Sequence, residues 1–218
     1  MNYLRLHYYL FLAAVLWSGS VRLSAAEEVQ PFASELSASW RARLAPFVAP
    51  RALVAPFTES RTTPLKKRPV KVEGTVRIVP ERGLSLVYAQ THASVVILDA
   101  KGLLLRHPDG REQSAPPEAE SGLRLLHALL AFDLDTLEKS YSLLAHENSD
   151  ASWSLTFTRR PGADSRTAAY LELGVSGDAT RLKGIRLAKT VNQKIEIALG
   201  EPQFDPVFTA DELTRYFR

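Results

Sequence analysis

The residues of this chain that could do chemistry lie in short polar segments whose spacing does not match a known catalytic pattern. His146 and Glu147 begin like the His-Glu-x-x-His motif of zinc proteases, but the segment ends in Asp150. Because that motif needs two ligands one helical turn apart, we expect a polar helix end here and no metal site. Ser176 lies in Gly-Val-Ser-Gly, where the second glycine comes one position too early for a nucleophile elbow. We therefore interpret Ser176 as part of a hairpin turn.

The remaining polar candidates are scattered along the chain. His92, His107 and His127 share no common spacing, and Glu118 and Glu120 lie in a polar segment without further motif residues. The sequence also contains neither of the two glycine-rich motifs that cradle phosphate groups. It therefore predicts no catalytic residue, no metal ligand and no cofactor, and so a protein that is not an enzyme.

The first 26 residues have the pattern of a secretory signal peptide. A short basic start precedes the apolar run 8–17, and Ser24 and Ala26 supply the small residues of a cleavage site. The apolar run is shorter than the roughly 20 residues of a membrane-spanning helix. We expect cleavage after Ala26, with Ser20 as a second possible point, which leaves 27–218 as one soluble periplasmic domain. An uncleaved membrane anchor is the alternative.

Charge and cysteine content narrow the choice of partners. Removal of the first 26 residues takes away Arg5 and Arg22 and no acidic residue, which leaves 25 basic and 24 acidic residues. No basic stripe with interleaved aromatic residues is visible, so the basic cluster 66–68 is interpreted as a solvated loop and no nucleic-acid partner is expected. The chain has no cysteine, so neither a disulfide nor a lipid-modified cysteine can stabilise or anchor it.

Hydrophobic periodicity predicts strands on both sides of a helical region. Short runs rich in Val, Ile, Leu and Tyr between Phe57 and Leu105, divided by Gly, Pro and Asp, predict consecutive antiparallel strands with a hairpin at Asp99–Gly102. Apolar residues spaced by three or four from Leu123 to Leu144 predict two helices, the second capped by Asp135. Strands return between Trp153 and Leu199.

The flanking segments complete an α+β pattern. A short helix is expected from Ser34 to Leu44, and Thr209 with Glu212 forms a Thr-x-x-Glu capping box for a terminal helix. The polar segment Gln113–Gly122 contains two prolines and is predicted to be a mobile loop, which would make the central helices a movable cover. One antiparallel sheet of this length would curl and take the helices into its concavity.

Two continuous apolar runs, Val95–Leu98 and Leu103–Leu105, do not show the alternation of a sheet with one solvated face. Both faces of the sheet must therefore be covered in this region. A plain two-layer core would satisfy the pattern, and so would a concave apolar site for a hydrophobic ligand. Composition alone leaves both interpretations open.

The order of these segments resembles the LolA family of periplasmic outer-membrane lipoprotein carriers, and in particular its divergent members. The resemblance covers residues 53–217. It is carried by the opening strand Phe57–Arg61, the segment Gly74–Pro80 with its Gly-x-x-x-x-x-Pro spacing, the hairpin Ser94–Leu105 and the post-helical strand Trp153–Phe157. Carriers of the best-known type have an aromatic and a basic residue after that proline. This chain has Leu84, Ser85 and Leu86 in the matching region, preceded by Arg82, and it looks closer to divergent members, which are expected to accompany synthesis of other envelope lipids.

The resemblance implies an unclosed (half) antiparallel β-barrel with a helical lid around an apolar cavity that shields acyl chains. It implies a monomeric carrier that takes a lipid or lipoprotein from an inner-membrane donor protein to an outer-membrane acceptor. The alternative is an envelope sensor or scaffold that has the same fold and acts through protein–protein contacts. A lipid hydrolase is not expected, because no nucleophile with a neighbouring base is found in this sequence. We expect ten apolar residues to line the cavity: Phe57, Leu86, Tyr88, Val95, Ile97, Leu126, Leu130, Trp153, Leu155 and Phe157.

Overall fold

The computed structural model describes residues 30–32, 38–48, 51–89, 94–114, 117–148, 150–164 and 168–218. The predicted signal peptide with its cleavage site, and His92, lie outside these ranges. The described residues form four helices, α1 (Ala38–Val48), α2 (Pro117–Leu130), α3 (Leu134–Glu138) and α4 (Ala210–Tyr216). None of the helices in these ranges is both long and apolar enough to cross a membrane.

The same residues form thirteen strands, which are β1 (Gln30–Phe32), β2 (Leu53–Thr62), β3 (Val70–Val79), β4 (Gly83–Tyr88), β5 (Val95–Asp99), β6 (Gly102–Arg106), β7 (Glu112–Ser114), β8 (Tyr141–Glu147), β9 (Trp153–Arg159), β10 (Glu172–Gly177), β11 (Leu182–Thr190), β12 (Gln193–Leu199) and β13 (Gln203–Phe204).

All thirteen strands belong to one antiparallel sheet. Its order is β1-β8-β9-β10-β11-β12-β2-β3-β4-β5-β6-β7, and β13 pairs with the beginning of β2. Strands β12 and β2 join the two halves of the chain, with Leu199 opposite Phe57. Within the described residues the end strands β1 and β7 do not pair with each other, so the sheet is unclosed. The predicted fold class, an α+β chain with an unclosed antiparallel barrel and a helical cover, is confirmed.

Strand alternation gives the sheet an apolar concave face. The inward residues of both halves join helices α1 to α3 in one core cluster. The buried members of that cluster on the sheet include Ala55, Phe57, Val76, Ile78, Leu84, Leu86, Leu98, Leu103, Leu143, Leu155, Phe157, Leu173, Val175, Ile185, Leu187 and Ile197. Because strands from both ends of the sheet reach the same helices, the sheet curls around them.

The convex face carries a second, smaller cluster. Val95, Ile97 and Leu104 pack there beneath Tyr216 of α4. The guanidinium of Arg106 donates to the carbonyl oxygens of Thr214 and Arg215, at 2.6 and 2.8 Å, and so satisfies the exposed end of that helix. The prediction that both faces of this region are covered is confirmed, because α2 lies on one side and α4 on the other. The predicted capping box of α4 is present as well.

The predicted second central helix is wrong beyond Glu138. Helix α3 ends there, and Tyr141–Glu147 is strand β8, paired along its whole length with β9. Leu137, Tyr141 and Leu144 are spaced like a helix, yet the segment also alternates, and the strand pairing satisfies its backbone groups. His146 therefore lies on a strand and not at a helix end.

The predicted loop Gln113–Gly122 is also wrong. Strand β7 ends at Ser114 and α2 begins at Pro117. Proline is tolerated in the first helical turn, because the backbone N–H groups there have no partner within the helix. The cap of α3 is Asp133 and not Asp135, with its carboxylate accepting from the backbone N–H of Thr136 at 3.1 Å.

Helix α1 overlaps the predicted first helix from Ala38 to Leu44 and extends beyond it to Val48. Helix α1 runs from Ala38 through Pro46 to Val48, whereas residues 33–37, at the beginning of the predicted helix, lie outside the described ranges. The hairpin at Asp99–Gly102 is confirmed. Gly102 has a φ of 108°, a left-handed conformation that glycine adopts without steric cost.

Candidate apolar binding site

A cavity of about 330 Å³ lies between the concave face of the sheet and the helices. Its lining is mostly apolar and comes from Pro46, Phe47, Arg51, Leu53, Ala55, Ile78, Pro80, His127, Leu130, Ala131, Leu182, Leu199, Gly200, Pro202 and Phe204. Ala55 and Ile78 are buried inside it, whereas Ala131 and Phe204 are exposed at its rim. The cavity therefore has an apolar interior that is accessible from solvent.

The sheet wall of the cavity follows from strand parity. Leu53 and Ala55 lie two positions apart on β2 and point to the same face. Ile78 lies directly opposite Leu53 on β3 and extends that face sideways. Ala55 is the small residue of this wall, and its methyl group leaves space beside Leu53 and Ile78.

The helix wall is held by an aromatic cluster. Phe47 of α1 packs against Phe132 and Trp153, with ring centroids 5.6 Å apart in both pairs. Trp153 is fully buried, and its indole N–H donates to the carbonyl oxygen of Asp178 at 2.8 Å. This cluster fixes α1 to the sheet, and Phe47 presents its remaining surface to the cavity.

The rim carries the ionisable side chains of the cavity lining, Arg51 and His127. The guanidinium of Arg51 lies over the Phe204 ring, 4.5 Å from its centroid, and its Nη2 donates to Asp205 at 2.6 Å. Partial burial lowers the pKa of His127, an effect that nearby Asp133 opposes. His127 is therefore neutral at pH 7, and Arg51 is the permanent charge of the lining.

Comparisons with known proteins give structural matches alone. No protein-family model matches the chain, and no curated protein matches it. A domain described as an outer membrane lipoprotein-sorting protein from Vibrio parahaemolyticus matches over 81% of this chain and 94% of its own length, with 10% identity and a TM-score of 0.44. A LolA superfamily protein from Nitrosomonas europaea matches over 80% and 95%, with 8% identity and a TM-score of 0.40.

The chain is similar to both of these solved structures in fold alone. It also matches the MucA/MucB complex of Pseudomonas aeruginosa over 80% of its length and 59% of that chain, with 16% identity and a TM-score of 0.46. At these identities the likeness is one of fold.

Half of the predicted site residues come together, but they lie beside the cavity and not around its open space. A neighbouring space of about 10 Å³, roughly the volume of one water probe, is lined by five of them: Phe57, Leu86, Tyr88, Leu126 and Leu130. Leu130 also lines the large cavity. Leu86, Tyr88 and Leu126 line this small space, whereas Phe57 also borders another space of about 610 Å³ together with Thr58, Gly74 and Ala198.

Trp153, Leu155 and Phe157 lie on the concave face as expected, but they are fully buried in the packed core. Val95 and Ile97 are placed differently, because they lie on the convex face under α4. The register explains this difference, since Leu84 and Leu86 on β4 pair with Leu98 and Val96 on β5. The concave residues of β5 are therefore the even-numbered ones, and the structure places Val95 and Ile97 away from the cavity that they were predicted to line.

A buried polar group closes the far end of the concave face. The carboxylate of Glu59 is only 3% exposed, accepts from the Tyr88 hydroxyl at 3.0 Å and pairs with Arg61. Burial raises the pKa of Tyr88, and the nearby carboxylate acts in the same direction. Tyr88, predicted to line the cavity, therefore also donates a hydrogen bond that satisfies a buried charge.

The polar motifs of the sequence lie away from the cavity. His146 on β8 and Ser176 on β10 both pair with Ser154 on β9, on the convex face. Ser176 is thus a strand residue and not part of the predicted turn. Across the described ranges, no group of three or more His, Cys, Asp or Glu side chains is placed to hold a metal ion.

Proposed function

We propose that this protein is a carrier that binds an acyl chain of a lipid or lipoprotein in the apolar cavity. The observation that carries the proposal is the cavity itself, about 330 Å³ between the sheet and the helices, with a mostly apolar lining. Binding sites for small ligands have volumes of about 300–1,000 Å³ and such linings. Each methylene transferred from water into the cavity contributes about 0.8 kcal/mol, so a long chain binds strongly without any directed polar contact.

Carriage fits this site better than catalysis. The ionisable groups in the lining are Arg51 and His127, both at the rim, and the interior holds apolar side chains. An acyl chain gains a similar free energy per methylene in a membrane as in an apolar cavity, so exchange between the two is nearly balanced. A protein of this kind can therefore load and unload without a nucleotide.

The proposed route follows the resemblance of the sequence. The chain is exported, loses its first 26 residues and acts as a monomer of residues 27–218 in the periplasm. It takes its cargo from an inner-membrane donor protein and delivers it to an outer-membrane acceptor. Intact mass of the exported protein tests the export step, since a species that retains residues 1–26 in the membrane fraction would contradict it.

Titration of the purified exported protein with a fluorescent 16-carbon fatty acid tests the binding function. We expect saturable binding of one acyl chain per protein, with displacement by unlabelled palmitate. Native mass spectrometry of protein taken from its own periplasm should show a bound lipid mass. Absence of saturable binding, together with a ligand-free mass, would overturn the proposal.

Hydrogen exchange tests whether the cover opens. The cavity is roofed by the end of α2, including His127 and Leu130, and a chain must pass this edge to enter. We expect the amides of Pro117–Leu130 to exchange faster than those of Trp153–Arg159, which lie between two paired strands. Acyl binding should slow exchange in α2. Equal protection in both segments, unchanged by ligand, would mean that α2 is a fixed layer of the core.

A further inference from the structure

The rim of the cavity carries a positive charge, which is the guanidinium of Arg51. The backbone places it firmly, because Asp205 N–H donates to Ala52 O at 2.9 Å and β13 pairs with the start of β2. Arg51 is thus held between the Phe204 ring and the Asp205 carboxylate. No acidic residue belongs to the cavity lining in the described part of the chain. Glu201, next to the lining in sequence, is paired with Arg181 at 2.7 Å.

The contact between Arg51 and Asp205 leaves room for a second anion. Both Nε and Nη2 of Arg51 donate to the same oxygen, Oδ2 of Asp205, at 3.2 and 2.6 Å. A guanidinium carries five N–H donors, so this contact uses part of its capacity. The side chains of Arg51 and Asp205 are 44% and 61% exposed, and ion pairs of such exposure are weak. An incoming carboxylate or phosphate can share or displace Asp205 at little cost.

We infer that the cargo is an anionic amphiphile whose head group binds Arg51 at the rim while its chain fills the cavity. This inference rests on the proposed function and adds the class of head group. The geometry matches such a molecule, because Arg51 lies on the same lining as Leu53 and Ala55, two to four residues along the chain. The Phe204 ring contacts the guanidinium and holds it in place, so little side-chain entropy is lost when a head group binds Arg51. The head group could be the carboxylate of a fatty acid or the phosphate of a lipid, since both are anions that a guanidinium binds.

Affinities for four palmitoyl ligands test the inference. Palmitate and palmitoyl lysophosphatidylglycerol carry the two anionic head groups, palmitoyl lysophosphatidylcholine is zwitterionic and monopalmitin is neutral. We expect an anionic ligand to bind about tenfold more tightly than monopalmitin at low salt, as a charge-assisted hydrogen bond provides. The ratio should shrink as salt rises. The affinity of each anionic ligand is divided by that of monopalmitin. The larger of the two ratios shows whether Arg51 prefers the carboxylate of a fatty acid or the phosphate of a lipid.

Variants at the rim make the test specific. Arg51→Gln should remove the preference for the anion, measured as the ratio of anionic-ligand to monopalmitin affinity within the same variant, and Arg51→Lys should restore part of that ratio. Asp205→Asn should raise the preference about twofold or more, because the competing carboxylate is gone. Arg111→Gln is the matched control, since Arg111 forms a similar exposed pair with Asp109 outside the cavity.

The outcomes separate the two proposals. If no ligand binds, monopalmitin included, the carrier function itself fails. If monopalmitin binds as tightly as palmitate and lysophosphatidylglycerol, and Arg51→Gln changes nothing, the carrier function stands and the anionic head group is overturned. A loss of preference in Arg111→Gln equal to that in Arg51→Gln would also overturn it, because it would show an effect of net charge alone.

Discussion

Replacing Ala55 with phenylalanine is expected to weaken acyl-chain binding more than a hundredfold while leaving the fold intact. Ala55 is 2% exposed, lies on the concave face of β2 and lines the cavity. A phenyl ring placed there would occupy space that the ligand needs. Displacing four methylenes from the cavity costs about 3 kcal/mol at about 0.8 kcal/mol each, and every 1.4 kcal/mol is about tenfold in affinity.

The same substitution at two other alanines completes the experiment. Ala131→Phe, at the exposed rim of the cavity, should also weaken binding and does not disturb the core. Ala100→Phe is the matched control, because Ala100 is exposed in the turn between β5 and β6 and lies outside the cavity lining. Binding is measured by fluorescent fatty-acid titration and folding by thermal denaturation. Unchanged affinity in folded Ala55→Phe and Ala131→Phe would show that the chain binds elsewhere.

Trp153→Ala is expected to lower the free energy of unfolding by about 3–5 kcal/mol, the range for a large aromatic side chain removed from a core. Trp153 is 1% exposed and packs on Phe47 and Phe132, so its loss leaves a cavity and releases α1 from the sheet. Since Phe47 forms part of the cavity wall, ligand binding should fall as well. Chemical denaturation gives the stability change.

Trp153→Phe separates packing from binding. It keeps an aromatic ring but removes the indole N–H that donates to Asp178 O, so we expect a loss of about 1–3 kcal/mol. Acyl affinity should stay within about twofold, because Trp153 does not line the cavity itself. A large loss of acyl affinity in a stable Trp153→Phe protein would show that Trp153 does contact the ligand, as the sequence predicted.

Local patterns account for the parts of the fold that could be predicted. The hairpin at Gly102 and the capping box at Thr209 are each decided by residues within four positions of one another. Strand β8 could not be predicted in the same way. Its residues from Tyr141 to Glu147 follow a helix directly and satisfy both a helical and a strand spacing, and only the pairing with β9 decides between them.

The candidate site was harder to predict for two physical reasons. The face that Ile97 occupies depends on the register of β5 with β4 and on α4, which lies more than a hundred residues away in sequence. The cavity lining also includes small residues such as Ala55 and Ala131, whereas the sequence-based choice favoured large apolar residues. Large side chains such as Phe157 fill the packed core, so positions with large apolar residues are poor predictors of where a cavity lies.

Photo-crosslinking tests the central claim most directly. A palmitate analogue with a diazirine near the end of its chain is bound to the exported protein, irradiated and located by peptide mass spectrometry. We expect the label on the concave lining, at Leu53, Ile78 and Leu199, and its loss with excess palmitate or in Ala55→Phe. Label concentrated at Ile97 and neighbouring residues of the convex face, or label that palmitate does not compete away, would contradict the account.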